Sequence, residues 1–173
     1  MTTVPETHRA YLLLGSNIDP ERNLPAVVRL LAEYGTIARA SRVWESPPAD
    51  GSSQANYLNA AVLLLTSHTA AELRMQVLPT IEEALGRVRD PLDKNAPRTI
   101  DIDIALFDRD IVEVAGARIP DPDIARRAFV AVPLAEVDPD YVHPVIGQSL
   151  REIAATLAEV SHLQLRDDVR LGA

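Results

Sequence analysis

The stretch Thr99–Phe107, TIDIDIALF, decides the fold. Ile100, Ile102 and Ile104 alternate with Thr99, Asp101 and Asp103, the period-two pattern of a strand with one apolar face. Working back from it, Arg87–Arg98 (RVRDPLDKNAPR) is loop by composition. Thr69-Ala70-Ala71-Glu72 has capping-box spacing. The helix it opens carries Leu73, Val77, Ile81 and Leu85 on one stripe and stops at Gly86, with Pro79 expected to kink or split it. Tyr57–Leu65 (YLNAAVLLL) reads as a strand apolar enough for the middle of a sheet. Ser46–Ser53 is loop, and Thr36–Glu45 is the strand before it. Leu24, Val27, Val28 and Leu31 form a helical stripe, with Asn23 as its cap, Pro25 in its first turn and Gly35 as its C′ residue. Arg9–Leu14 is the first strand, closed by Gly15-Ser16-Asn17 as a tight turn.

The order β-α-β-β-α-β is that of a ferredoxin-like α+β core: an antiparallel sheet with helices packed on it. From Arg118 onward the pattern is mostly loop, with a short helix over Ala128–Val137 despite Pro133 and a last helix over Ser149–Val160. At 173 residues and 47% apolar composition, the chain fits one domain, 1–173, with a real core. It has no cysteine, which excludes disulfides, zinc–thiolate sites and thiol nucleophiles. The net charge of −8 argues against nucleic acid as a partner. Met1–His8 lacks the pattern of a signal peptide, and the longest apolar run, Ala60–Leu65, is too short to span a bilayer. A cytoplasmic protein without membrane contact is expected.

Asp101 and Asp103 carry the chemistry. Residues i and i+2 of a strand share a face, with Cα atoms about 6.5–7 Å apart. Carboxylates so placed can share hard cations, which take oxygen ligands. A merely solvated strand face is the alternative, but strands disfavour Asp and like charges on one face repel. Arg87, Arg89 and Arg98, with Lys94, flank the strand, and guanidinium groups match phosphate oxygens bidentately. A solvated loop partly neutralised by Asp90 and Asp93 is the alternative there. Tyr57 and Asn59 share a face, an aromatic plate beside an amide suited to a flat heterocycle. The four histidines are scattered, without ligand-like spacing.

Together, Leu13–Asn17 (LLGSN), Ser46–Pro48 (SPP), Tyr57–Val62 (YLNAAV), Ile81–Arg89 (IEEALGRVR), Pro97–Ile104 (PRTIDIDI) and Arg126–Pro139 (RRAFVAVPLAEVDP) resemble the 6-hydroxymethyl-7,8-dihydropterin pyrophosphokinases of folate synthesis. The resemblance covers roughly Tyr11–Pro144. It implies a ferredoxin-like core with mobile catalytic loops, and transfer of pyrophosphate from ATP to the pterin alcohol with release of AMP. It implies two magnesium ions on Asp101 and Asp103. Arg87, Arg89, Arg98 and Arg127 would contact phosphates, and Glu82 would sit on the ATP side. Tyr57 and Phe129 would sandwich the pterin, while Asn59 and the Ser46–Ala49 loop would bond its edge. The partners implied are small molecules only, for a chain expected to be monomeric. Two departures stand out. The family commonly has Trp before Gly-Pro-Arg, where this chain has Asn95-Ala96 before Pro97-Arg98. Pro120-Asp121-Pro122 has a carboxylate where the family commonly has His, which disfavours a polyanion by charge. A relative acting on another hydroxyalkyl pterin, or a non-catalytic pterin- or nucleotide-binding module, are the alternatives; the retained Asp101, Asp103 and Arg98 weigh against the last.

Overall fold

The computed structural model describes residues 3–158 and 161–172. In chain order the elements are β1 (His8–Ser16), α1 (Pro20–Leu31), β2 (Thr36–Ala40), β3 (Trp44–Ser46), β4 (Tyr57–Thr66), α2 (Ala70–Glu72), α3 (Leu78–Ala84), β5 (Asp101–Phe107), β6 (Val112–Val114), β7 (Ala117–Ile119), α4 (Ala128–Val137), α5 (Leu150–Ala158) and β8 (Gln164–Leu165). β1 is central, antiparallel to β5 on one side and to β4 on the other. β2 and β3 share the outer edge of β4, and β8 pairs outside β3. The expected ferredoxin-like α+β sheet is therefore present.

Alternation along the strands, interrupted in β5 by a register shift that puts both Ala105 and Leu106 on one face, divides the core into two layers. Ala10, Leu12 and Leu14, with Val62, Leu64, Ile102 and Ile104, pack against Leu24, Val27, Leu31 and Ile81 of α1 and α3. On the opposite face Tyr11, Ala61, Leu63 and Ala105 pack against Val130 and Leu134 of α4 and Ile153 of α5. The same alternation places Asp101 and Asp103 on the α4 face, while Ile102 and Ile104 anchor β5 in the other layer. No helix of the described residues is long and apolar enough to cross a membrane.

Several local expectations are corrected. The strand expected over Thr36–Glu45 is broken in two. Ser41 interrupts it by donating its N–H to the Ala61 carbonyl and accepting the Ala61 N–H on its hydroxyl, both at 2.8 Å, so a side chain replaces one backbone partner. β5 starts at Asp101, two residues later than expected, and β1 runs on to Ser16, which leaves Gly15 and Ser16 in the strand and not in a turn. α1 starts at Pro20 after Asp19; Asn23 lies within it and donates to the Ile18 carbonyl at 2.7 Å, fastening the helix start from inside. Pro25 therefore sits in the second turn. A 3-10 turn, Ala32–Tyr34, follows α1, and Gly35 is extended, with φ 163°, and not a left-handed C′ residue. Glycine is needed there because a Cβ would run into the Leu65 carbonyl oxygen. The split expected at Pro79 is present: a π turn, Leu73–Val77, separates α2 from α3, and Pro79 sits in the first turn of α3.

The chain after Arg118 is also more ordered than expected. β6 and β7 form a hairpin, the helix over Ala128–Val137 is present, and α5 starts at Leu150. Glu159 and Val160, the expected end of the last helix, lie outside the described residues. β8 was not expected: its two residues offer too little pattern to read.

Candidate active site

A cavity of about 240 Å³ opens on the α4 face at the end of the sheet. Its floor follows from strand register. Gly15 pairs with Asp101 on one side and Asn59 on the other, and Leu13 pairs with Asp103 and Ala61. Having no side chain, Gly15 leaves a trough between the carboxylate and the amide, about 10 Å wide at two strand spacings.

Of the residues picked out from the sequence, Ser46, Ala49, Tyr57, Asn59, Arg98, Asp101, Asp103 and Phe129 all line this one cavity. Asn59 donates to the Ser46 hydroxyl at 2.8 Å and the Trp44 carbonyl at 3.0 Å, which orients its amide and leaves its oxygen without a side-chain donor among the described residues. Phe129 enters from the first turn of α4. Arg87, Arg89, Glu82 and Arg127 do not line the cavity. Glu82 is buried and accepts the Ile102 N–H at 3.0 Å, Arg87 at 3.3 Å and Arg89 at 2.8 Å, so it ties α3 to the start of β5. Arg87 continues to Asp101 at 2.8 Å and the Ile100 carbonyl at 3.1 Å. Arg89 and Arg127 are otherwise exposed.

The two aspartates differ in state. Asp101 is gripped by Arg87 at 2.8 Å and Arg98 at 3.2 Å. The Asp103 side chain makes no hydrogen bond among the described residues; burial above all, then the charges of Asp101 and Asp121, push its carboxyl well above the ordinary range. Asp121 lines the same cavity, held by its N–H on the Ala105 carbonyl at 2.9 Å. Burial raises its carboxyl too, against the Asp123 N–H that it accepts at 2.8 Å. No group of three or more His, Asp or Glu side chains among the described residues forms a ready metal cage. The Nε atoms of Arg87 and Arg98 are buried without a partner among the described residues, two donors left over beside the carboxylates.

Sequence reading missed Asn17 and Gln54. Asn17 stood only in a turn triplet and the segment Leu13–Asn17, and Gln54, just after the loop Ser46–Ser53, was not singled out, because their bonds join segments far apart in the chain. Asn17 donates to Gln54 at 3.0 Å and accepts the Arg98 N–H at 2.8 Å.

A family model described as 7,8-dihydro-6-hydroxymethylpterin-pyrophosphokinase (HPPK) matches residues 11–139. A Bacillus subtilis protein named 2-amino-4-hydroxy-6-hydroxymethyldihydropteridine pyrophosphokinase is 40% identical over 131 residues, 74% of this chain and 77% of the relative. One of the same name from Methylorubrum extorquens is 40% identical over 152 residues, 86% of this chain and 93% of the relative. Among solved structures, Plasmodium falciparum HPPK-DHPS with pterin and p-hydrobenzoate superposes with a TM-score of 0.67 at 14% identity, a likeness of fold. It covers 90% of this chain and 45% of that one, so this chain spans less than half of that structure's length.

Proposed function

This chain belongs to the 7,8-dihydro-6-hydroxymethylpterin-pyrophosphokinase family, and from that premise we propose how its own residues carry the reaction: transfer of pyrophosphate from ATP to 6-hydroxymethyl-7,8-dihydropterin, with release of AMP. One observation carries the assignment of residues. A single cavity joins an aromatic and amide wall, Tyr57, Phe129 and Asn59, to a carboxylate and guanidinium wall, Asp101, Asp103 and Arg98. The first wall suits a flat heterocycle with hydrogen-bonding edges, the second a polyphosphate with its cations.

The donor set fits magnesium. This ion takes one or two carboxylates, and substrate phosphates and water complete its octahedron, so a closed protein cage is not needed. Asp103, without a partner and crowded by Asp101 and Asp121, is the carboxylate most relieved by a cation. Asp101 and Asp103 would hold two ions, which supply charge neutralisation on the phosphate oxygens. Phosphate contacts are assigned to Arg98, which lines the cavity, and to Arg87, Arg89 and Arg127 from outside its wall. Glu82 acts from behind, orienting Arg87 and Arg89 on the ATP side.

The pterin lies between Tyr57 and Phe129, its edge on Asn59 and the backbone of the Ser46–Ala49 loop. Its hydroxymethyl oxygen attacks the β-phosphorus, the bond from that phosphorus to the α,β-bridging oxygen breaks, AMP leaves, and the hydroxyl proton passes to solvent. A loose transition state needs positioning and charge stabilisation more than a strong base. Asp121 adds a negative charge beside the phosphate path and selects for a fully cation-loaded nucleotide. The six-stranded sheet shared by both layers fits one domain, 1–173, which we take to act as a monomer; the cysteine-free composition and the nucleotide co-substrate fit a cytoplasmic setting.

The test is to mix the protein with ATP, magnesium and 6-hydroxymethyl-7,8-dihydropterin and follow the nucleotides. Pterin-dependent AMP without ADP is expected. Asp101→Ala and Asp103→Ala should each lower turnover by at least ~100-fold, since each removes charge at the reacting phosphates and little core volume. Near-normal turnover in either variant would sink the two-metal assignment. No AMP, with nucleotide binding retained, would point to a different hydroxyalkyl pterin.

A further inference from the structure

The aromatic and amide wall of the cavity is built from two separate bodies. Ser46, Tyr57 and Asn59 belong to the sheet, whereas Phe129 comes from α4. α4 (AFVAVPLAEV) is apolar at every position but Glu136. Apolar burial is non-directional, so it presses the helix onto the sheet without choosing where along the sheet it stops. Glu136 makes that choice. Its carboxylate accepts the Trp44 indole N–H at 2.9 Å, the Arg42 backbone N–H at 3.2 Å and the Arg42 Nε–H at 2.7 Å. These bonds pin one point of α4 to β3 and to the chain just before it. Phe129 lies two turns earlier on the same side of the helix, about 10 Å away. β3 in turn holds the Asn59 amide, whose two N–H donors go to the Trp44 carbonyl at 3.0 Å and the Ser46 hydroxyl at 2.8 Å. Trp44 thus serves the amide through its carbonyl and the helix through its indole.

We propose that Glu136 is a positioning residue: through Trp44 it sets the register of α4 on β3, and so the gap between Phe129 and Tyr57 in which the pterin ring is held. This rests on the substrate assignment above. A flat ring gains from both walls only at van der Waals separation, and a gap wider by about 0.5–1 Å forfeits a quarter to a half of that attraction. A carboxylate suits the task because its two oxygens take the indole and the guanidinium together. Asp101 and Asp103 stand on β5 and Arg98 just before it, so they do not move with α4. Of the residues assigned to the nucleotide only Arg127 adjoins α4, and the loss from a displaced helix therefore falls mainly on the pterin.

The experiment measures initial rates of AMP formation, first with the pterin varied at saturating magnesium ATP and then the reverse. Glu136→Ala should raise the KM for the pterin about tenfold and that for ATP no more than about threefold. Trp44→Phe keeps an aromatic side chain, removes the N–H and should show the same split, which keeps the inference testable if Glu136→Ala does not fold. Because Glu136 acts through Phe129, adding either substitution to Phe129→Ala should change the pterin KM by less than about twofold further. A merely structural role lowers the amount of active protein, and hence kcat, without producing this pattern. If AMP forms but both variants leave the pterin KM unchanged, raise the two KM values equally, or keep their full factor in the Phe129→Ala background, the inference is wrong and the substrate assignment stands. If unmodified protein forms no pterin-dependent AMP, both are wrong.

Discussion

Glu82 and Asp103 show how differently two carboxylates near one strand are treated. Glu82 is 4% exposed and collects a backbone N–H and two guanidinium groups, so its charge is matched. Asp103 has no such partner, and burial with neighbouring anions raises its carboxyl. A carboxyl raised in the folded state binds protons more readily there than in the unfolded chain. Its ionisation therefore costs stability as pH rises from the unfolded value of about 3.8 through the folded one. Asp103→Asn removes that cost. In metal-free buffer the variant should melt above the unmodified protein at pH 8, by on the order of 1 kcal/mol or roughly 2–4 °C. The difference should vanish near pH 3, where both forms are neutral. An equal gain at both values would mean that the effect is packing and not charge. Under the proposed metal assignment the stabilised variant should be inactive, because it lacks the charge that a cation would relieve.

At the scale of elements, short connections are decided by contacts with other strands. Gly35 joins the 3-10 turn after α1 to β2 and is set by the proximity of the Leu65 backbone, not by a left-handed turn. Gly35→Ala should therefore cost about 1–3 kcal/mol through overpacking, read as a lowered denaturant midpoint with unchanged slope. A neutral result would show that β2 can slide away from β4. β3 is three residues long and leads into the Ser46–Ala49 wall of the cavity. It is held outside by β8, where the Arg166 N–H donates to the Val43 carbonyl at 2.9 Å and its guanidinium pairs with Glu45 at 2.8 Å. Val169 and Leu171 then bury in the layer beneath α1. The C-terminal segment thus props the strand that leads into this wall of the cavity, although it lies beyond the matched residues 11–139.

For the whole molecule, the two apolar layers share β1, β4 and β5, so neither can be exposed without stripping one face of the same strands. The chain should unfold in one transition. Far-UV circular dichroism and the fluorescence of Trp44, the single tryptophan, should give coincident midpoints. Trp44 reports well because its indole N–H donates to Glu136 of α4 at 2.9 Å, bridging β3 and the second layer. Midpoints separated by more than about 5 °C would show that the α4–α5 layer melts by itself.

By itself the sequence determined the pattern of strands and helices that makes the core, and the residue types of the site. Both are written in local periodicity: alternation puts Asp101 and Asp103 on one face, and the stripe Leu24, Val27, Val28, Leu31 makes α1. The same locality explains the errors. Ser41 breaks a strand through its bonds to Ala61, Gly35 is needed because of Leu65, and β8 exists because Trp44 and Glu45 lie beside it. Only the tertiary structure decided which charges meet. It brought Asp121 to Asp103, spent Arg87 on Glu82 and Asp101, and joined Asn17 to Gln54 and Arg98. Such bonds join residues tens of positions apart, and their energies depend on burial and register, which no short window of sequence contains.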